Sequence, residues 1–562
     1  MRSCLPSVVD AIRPEGALVA GTPAGMVVVR AAGLRVRGGT VTAAGDAVPQ
    51  AGELAVFCRP VVTAPVLARR DGGMLADAWL PDLVRLGELE RHLGDGVIEA
   101  IVDAELGKGR LRPRERRRLM SYPLVIRLMI ATGLMPEASC REALARLAGL
   151  LADVPFALEW HVPTGKVITG WRLLIPADVM EGIFWHAAGP LISGDEPSAV
   201  LLAGMMVLAA DGMLVNLADT AANRAMFGST GTADDSAPFP QLRVVALTAR
   251  AGRAMLGAIL GSSTGEQTLL KRLVKRRPAL FAGRVICFDR NFPGYDLIMA
   301  ILDAGGHVIA RMKEGISLDC EDGPARGWLP DGSRMSWLNA PSRRKEDRLP
   351  VRVTEHNAIL PSGDGTEEVS QTCTVITTLL DHRAAPADAV RETYLTRWSA
   401  SETTFGEDKT TITGAGNRTS GPVLRSGSPR LVIQEAWAWL TATQLVRACA
   451  AAALRSEHAA ARALRRNDAA PVTADEESFT AVLRHTIRSM TSTQITASSS
   501  LDAIAAAADA AARAALHTLN VPGRQRHSKR GQKARPNFPH APATKTTVPG
   551  KPQVTVFAPG FY

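Results

Sequence analysis

From Leu83 to Ala148 apolar residues recur at spacings of three and four, among them Val84, Leu86, Leu89, Ile98, Ile101, Val102, Leu124, Val125, Leu128, Met129 and Leu134. That spacing gives a helix one buried face and predicts a small helical domain. Mixed helix and loop continue to residue 198, where Trp160, Trp171 and Trp185 read as core packing. After Leu201 the period changes. Strand-like runs cover 202–210, 242–249, 284–288 and 306–311, helices are predicted over 265–276 and 293–303, and turns fall at Gly252 and Gly305-Gly306. Strands first, then helix alternating with strand, argue for an α/β class with a mixed sheet.

Between 312 and 390 short β-type runs (334–337, 349–353 and 372–379) are split by Pro330-Asp331-Gly332 and Ser362-Gly-Asp-Gly365, which predicts a β-rich insertion. Ala-rich helical stretches follow over 432–466, 478–490 and 501–518. Residues 1–80 carry no sustained period, and Pro23, Pro49, Pro60 and Pro65 break their apolar runs. They read as short strands or a loose extension of unknown role. The division expected is an extension (1–80), a helical amino-terminal domain (81–198), the first part of a catalytic domain (199–311), a β-rich insertion (312–390), its closing helix (391–450), carboxyl-terminal helices (451–520) and a basic disordered tail (521–562).

With 562 residues, 46% of them hydrophobic, the chain can bury several cores. Its net charge of +10 favours a polyanionic partner, and placement sharpens this. Arg110 to Arg118 is a basic run between predicted helices, and Gly523 to Arg535 holds a second. Seven scattered cysteines form no CxxC pair, so neither a zinc site nor a disulfide framework is indicated and a reducing cytoplasm fits. The most apolar stretch, Ala199 to Ala210, is shorter than the roughly 18 residues of a membrane span, so no membrane partner is expected. Asp10 and Arg13 stand where a signal peptide would need an apolar core.

Three acids carry the candidate chemistry. Asp211 and Asp289 each end an apolar, strand-like run, which is where open α/β sheets place active sites. Glu402 lies in a helix-compatible run with Tyr394, Arg397, Trp398 and Lys409, and at about 100° per residue all five share one broad face. Carboxylates of this number can hold two divalent cations that serve both ends of a phosphodiester displacement. Asp219, close to Asp211, fits a turn or helix cap better.

These residues resemble the insertion-sequence-4 family of DDE transposases, whose mark is Tyr, two residues, Arg, three residues, Glu, six residues, Lys. Tyr394, Arg397, Glu402 and Lys409 match it, with four residues in place of three between Arg397 and Glu402. The likeness runs from about Leu83 to Leu445 and includes Asp211-Gly, Asp219-Thr, Arg290 and Phe292 after Asp289, Arg311-Met-Lys313, Leu329-Pro-Asp-Gly-Ser333 and Thr377-Thr-Leu-Leu-Asp381. Asn291 stands where the family usually has Gly.

The resemblance implies a ribonuclease-H-like mixed sheet with a β-rich insertion, preceded by a helical DNA-binding-type domain and followed by helices and a basic tail. It implies cut-and-paste transposition in a homodimeric complex with double-stranded DNA, in the cytoplasm and on the nucleoid when DNA is bound. Asp211, Asp289 and Glu402 would be catalytic and hold two Mg²⁺ ions, with Mn²⁺ able to substitute. Tyr394, Arg397, Lys409 and Arg290 would contact DNA. Two alternatives stand beside it: a structure-specific nuclease without strand transfer, and a DNA-binding descendant that no longer cuts.

Overall fold

The structure is a computed structural model. It describes residues 17–22, 25–30, 34–37, 40–43, 86, 93, 95–106, 120–149, 161–192, 201–228, 239–250, 253–262, 265–313, 318–320, 327–342, 344, 347–361, 368–400, 423–454, 479–491 and 553–556. The basic runs at 110–118 and 523–535, and the helix read over 501–518, lie outside the described residues.

Two hairpins come first, β1 (Ala17–Thr22) with β2 (Gly25–Arg30) and β3 (Leu34–Arg37) with β4 (Thr40–Ala43). The helical region then holds α1 (Asp95–Leu106), α2 (Tyr122–Leu134), α3 (Cys140–Gly149), α4 (Gly165–Leu174) and α5 (Ala177–Ile192). Helix α2 starts where Ser121 Oγ accepts the Leu124 N–H at 3.3 Å, with Pro123 in the first turn, where its missing N–H costs nothing. Trp171 packs edge-on against Tyr122, and Trp185 against Phe184, both as part of the core.

The main sheet uses β5 (Leu201–Leu202), β6 (Met205–Leu217), β7 (Gln241–Ala249), β8 (Met255–Gly261), β9 (Arg284–Phe288) and β10 (His307–Arg311). It continues through β11 (Asp319–Cys320), β12 (Arg334–Leu338), β13 (Leu349–Pro361) and β14 (Glu368–Thr377). Strand order is β11-β12-β13-β14-β10-β9-β6-β7-β8. The β6–β9 and β9–β10 pairs are parallel, while β6–β7, β7–β8 and β10–β14 are antiparallel. A short β15 (Val423–Leu424) runs parallel to the far end of β6, and β16 (Gln553–Val556) pairs with β13.

Three features depart from the sequence reading. Strand β6 does not end at Asp211 but runs on to Leu217, because β7 pairs with it from Leu208 to Asn216 after its parallel partner β9 has stopped. The β-rich segment extends the main sheet through the β10–β14 pairing. Residues 553–556, read as part of a disordered tail, form a strand.

Helices α6 (Ala221–Phe227), α7 (Glu266–Arg276), α8 (Tyr295–Asp303), α9 (Ala387–Ala400), α10 (Pro429–Leu454) and α11 (Phe479–Thr491) complete the fold. One face of the sheet, with Leu208, Ala210, Ile286 and Phe288, packs on Leu269, Leu273, Leu297 and Ile301 of α7 and α8. Val207, Val285, Cys287, Ile309 and Val375 on the other face pack on Val390 and Tyr394 of α9. Farther along β6, Met213 and Val215 join a core with Trp437 and Leu440 of α10 and with α2 and α5 of the helical region. Helix α10 is buried on every side from Ala436 to Ala450, a largely apolar stretch that also buries Thr441, Thr443, Gln444 and Arg447. Its approach to α2 is close: a Cβ on Gly133 would stand 3.1 Å from Trp439 Cα. Among the described residues no helix is long and apolar enough to cross a membrane.

Candidate active site

The parallel register of β6 with β9 pairs Ala210 with Phe288, so Asp211 and Asp289 occupy the next, adjacent positions at the carboxyl end of this strand pair. Side chains alternate along a strand. Val207 and, across the pairing, Val285 and Cys287 all belong to the face that α9 covers. Asp211 shares parity with Val207, and Asp289 with Cys287, so both acids lie toward that same face. Both are partly exposed.

Each carboxylate is oriented locally. Asp211 Oδ1 accepts the Gly212 N–H at 2.8 Å. Asp289 Oδ1 accepts the Asn291 N–H at 2.8 Å and Oδ2 the Asn291 side-chain amide at 3.3 Å, a turn that Asp and Asn both favour. Among the described residues only Ala203 and Arg253 are non-glycines with positive φ, so Asn291 needs no glycine-like backbone. Phe292 is fully buried against Phe288, their centroids 5.7 Å apart, and this anchors the turn.

Helix α9 faces the acids with a stripe whose buried members are Ala387, Val390, Thr393, Tyr394 and Arg397. The last is a cation in a core position, 3% exposed, with its guanidinium 5.8 Å from the Tyr394 ring centroid. Burial disfavours its charge, yet its pKa is raised, because Cys287, Tyr394, Asp211 and Asp289 outweigh that penalty. Burial also pushes the Tyr394 hydroxyl up to about 12 and the Cys287 thiol to about 12, so both stay neutral.

Sequence reasoning missed a third carboxylate. Glu266, in the first turn of α7, is held by Arg243 Nη1 at 2.5 Å. A Cβ on Gly212 would stand 2.5 Å from Glu266 Oε1, so the glycine after Asp211 makes room for this side chain. Burial raises the Glu266 pKa, Arg243 works against the rise, and Asp211 and Asp289 add to it. An acid in a first helical turn is ordinary, which hid this one. Arg311 is also on the α9 face, two positions beyond Ile309 on β10, and its charge acts on Tyr394.

Tyr394 and Arg397, expected to contact DNA, are buried here, Tyr394 in the core with Val207, Cys287 and Ile309 and Arg397 within electrostatic reach of the acid pair. Arg290 is exposed beside Asp289. Glu402 and Lys409 lie outside the described residues. Asp219 pairs with Arg224 at 2.5 Å, while Thr220 caps α6 by accepting the Asn223 N–H. Among the described residues no group of three or more His, Cys, Asp or Glu is set to hold a metal ion. Asp211 and Asp289 still supply what divalent cations require of a protein, two adjacent, partly exposed carboxylates whose negative charge Arg397 alone does not cancel.

No family model matches the chain, and no curated protein does. Among solved structures, a piggyBac transposase synaptic complex with hairpin DNA is similar at a TM-score of 0.35 and 9% identity, over 76% of this chain and 83% of that one. A likeness at that level carries no argument about mechanism.

Proposed function

We propose that this chain is a DNA transposase of the cut-and-paste type, built on a ribonuclease-H-like sheet, with Asp211, Asp289 and Glu402 as its acidic residues. The observation that carries the reading is the β6–β9 register, which sets Asp211 and Asp289 side by side on the face where α9 turns Arg397 toward them. The strand plan supports it. Along β8-β7-β6-β9-β10 the β8–β7 and β7–β6 pairs are antiparallel and the β6–β9 and β9–β10 pairs parallel, a mixed sheet of the class the reading needs. The Tyr-Arg-Glu-Lys run on and after α9 adds the insertion-sequence-4 resemblance.

In this reading Asp211, Asp289 and Glu402 would hold two Mg²⁺ ions, which would supply Lewis acidity and a bound water of lowered pKa. The chain's own residues hold the geometry. Asp211 and Asp289 are fixed by their backbone and Asn291 contacts, and Arg397 is a fixed counter-charge behind them. Arg290 and Lys409 serve as phosphate contacts, a task suited to long cationic side chains. Hydrolysis of the phosphodiester at the element's end frees a 3′-hydroxyl, which then attacks a phosphodiester of target DNA, forming the new bond as the target's own 3′-oxygen leaves and takes up the proton.

The test uses a plasmid carrying the DNA that flanks the coding region. Wild-type protein nicks it with Mg²⁺ or Mn²⁺ and joins the ends to a second DNA, while Asp289→Ala loses both reactions, by about three orders of magnitude or more, and retains binding. Equal nicking by Asp289→Ala would end the assignment. Cleavage without joining would move it to a nuclease, and binding without cleavage in the wild type to a descendant that no longer cuts.

A further inference from the structure

The segment Leu329-Pro-Asp-Gly-Ser333 reads as a turn, and Gly332 adopts a φ of 78° that suits glycine. Its aspartate does more than turn the chain. Asp331 Oδ2 accepts the N–H of Ala387, the first residue of α9, at 2.8 Å across 56 residues of sequence. Oδ1 accepts the Ser333 N–H at 3.1 Å and its hydroxyl at 2.6 Å.

Behind it lies Arg352, fully buried on β13. Its Nη1 donates to Asp331 Oδ2 at 2.9 Å and to Ser333 Oγ at 3.2 Å, and its Nε to the Leu379 carbonyl at 3.0 Å. Nη2 donates to the Ala385 carbonyl, two residues before the helix. Burial would raise the Asp331 carboxyl, but the hydrogen bonds from Ser333 and Ala387 and the Arg352 charge hold it below its usual range. The first N–H groups of a helix have no partner within it, and a carboxylate there also meets the positive end of the helix dipole.

From this geometry we infer that Asp331, seated by Arg352, is a positioning residue for the acidic site, because it fixes the start of the helix that carries Tyr394 and Arg397 and leads toward Glu402. A buried arginine that spans β13, the turn and the approach to α9 leaves that helix one seat on the sheet. The β-rich segment thereby becomes part of the machinery and not an appendage. The catalytic half of this inference rests on the transposase reading, while the structural half does not.

The experiment is hydrogen exchange on the full chain carrying Asp331→Ala, together with nicking of the flanking-DNA plasmid across a Mn²⁺ titration. Amides of 387–400 exchange about tenfold faster while those of 205–217 and 284–288 keep their rates, as expected for loss of one cap in a locally opening helix. Nicking slows by about tenfold and the Mn²⁺ needed for half-maximal rate rises, which a merely structural role would leave unchanged, while plasmid binding holds. Should Asp331→Ala fail to fold, Ser333→Ala carries the same readouts at smaller amplitude. Unchanged exchange in 387–400, or exchange rising alike in helix and sheet, overturns the inference. A wild type that never nicks sinks the transposase reading and leaves the exchange result to decide the clamp.

Discussion

Helices α9 and α10 follow one another in the chain and cover neighbouring stretches of the same sheet face, yet they are held by different physics. Helix α10 is buried all round from Ala436 to Ala450, and its glutamines tie it to its neighbours: Gln434 donates to the Arg172 and Ile175 carbonyls at 2.9 and 2.8 Å, and Gln444 accepts the Met255 N–H at 2.9 Å. Helix α9 has a single buried stripe that begins at an ion-paired cap and ends in Arg397. A charge in a core position costs several kcal/mol unless it is compensated, and Cys287, Tyr394 and the acid pair together supply the compensation here. Helix α10 is organised to be stable, α9 to hold charge beside the acids.

The contrast breaks most visibly at Trp437. Its ring packs 5.1 Å from Phe184, and Trp437→Ala should cost about 3–5 kcal/mol in urea unfolding with no special effect on chemistry beyond lost protein. A cost under about 1 kcal/mol would mean that α10 is not central to the core.

Arg397→Met should do the reverse. The variant removes a charge that is costly to bury and leaves two acids that are partly exposed and so can be solvated, so unfolding should shift by no more than about 1 kcal/mol, whereas metal-dependent nicking falls about a hundredfold. Stability lost in step with activity would return Arg397 to the ordinary core.

The smallest effect sharpens the site itself. Gly212→Ala should cost about 1–3 kcal/mol through collision with Glu266, and Glu266→Ala in the same chain should recover most of that loss. Independent, additive costs in the double-mutant cycle would show that the two do not press on each other.

Much of this was legible in the chain. Strand β9 and helix α7 fall close to where periodicity puts them, since each is an uninterrupted run with a clear period. Strand β8 was not read because Gly257 and Gly261 look like turn residues. They are glycines for another reason, as a Cβ at either would press on Leu280 or Leu269 and keep α7 and the turn after it off the sheet. Glu266 and Asp331 were hidden by their ordinary local roles, a first-turn acid and a turn aspartate. What sets them apart is a partner far away in sequence, and no window of neighbouring residues contains it.

Where α10 sits also decides how the protein can be dissected. The interior of the amino-terminal helices is finished by residues 429–454, which arrive in the chain only after every strand of the main sheet except β16. Those helices are therefore no freestanding cassette. A fragment ending near residue 200 would leave an oily groove gaping where Trp437 and Leu440 belong, and closing so long a loop makes native assembly a late and slow event.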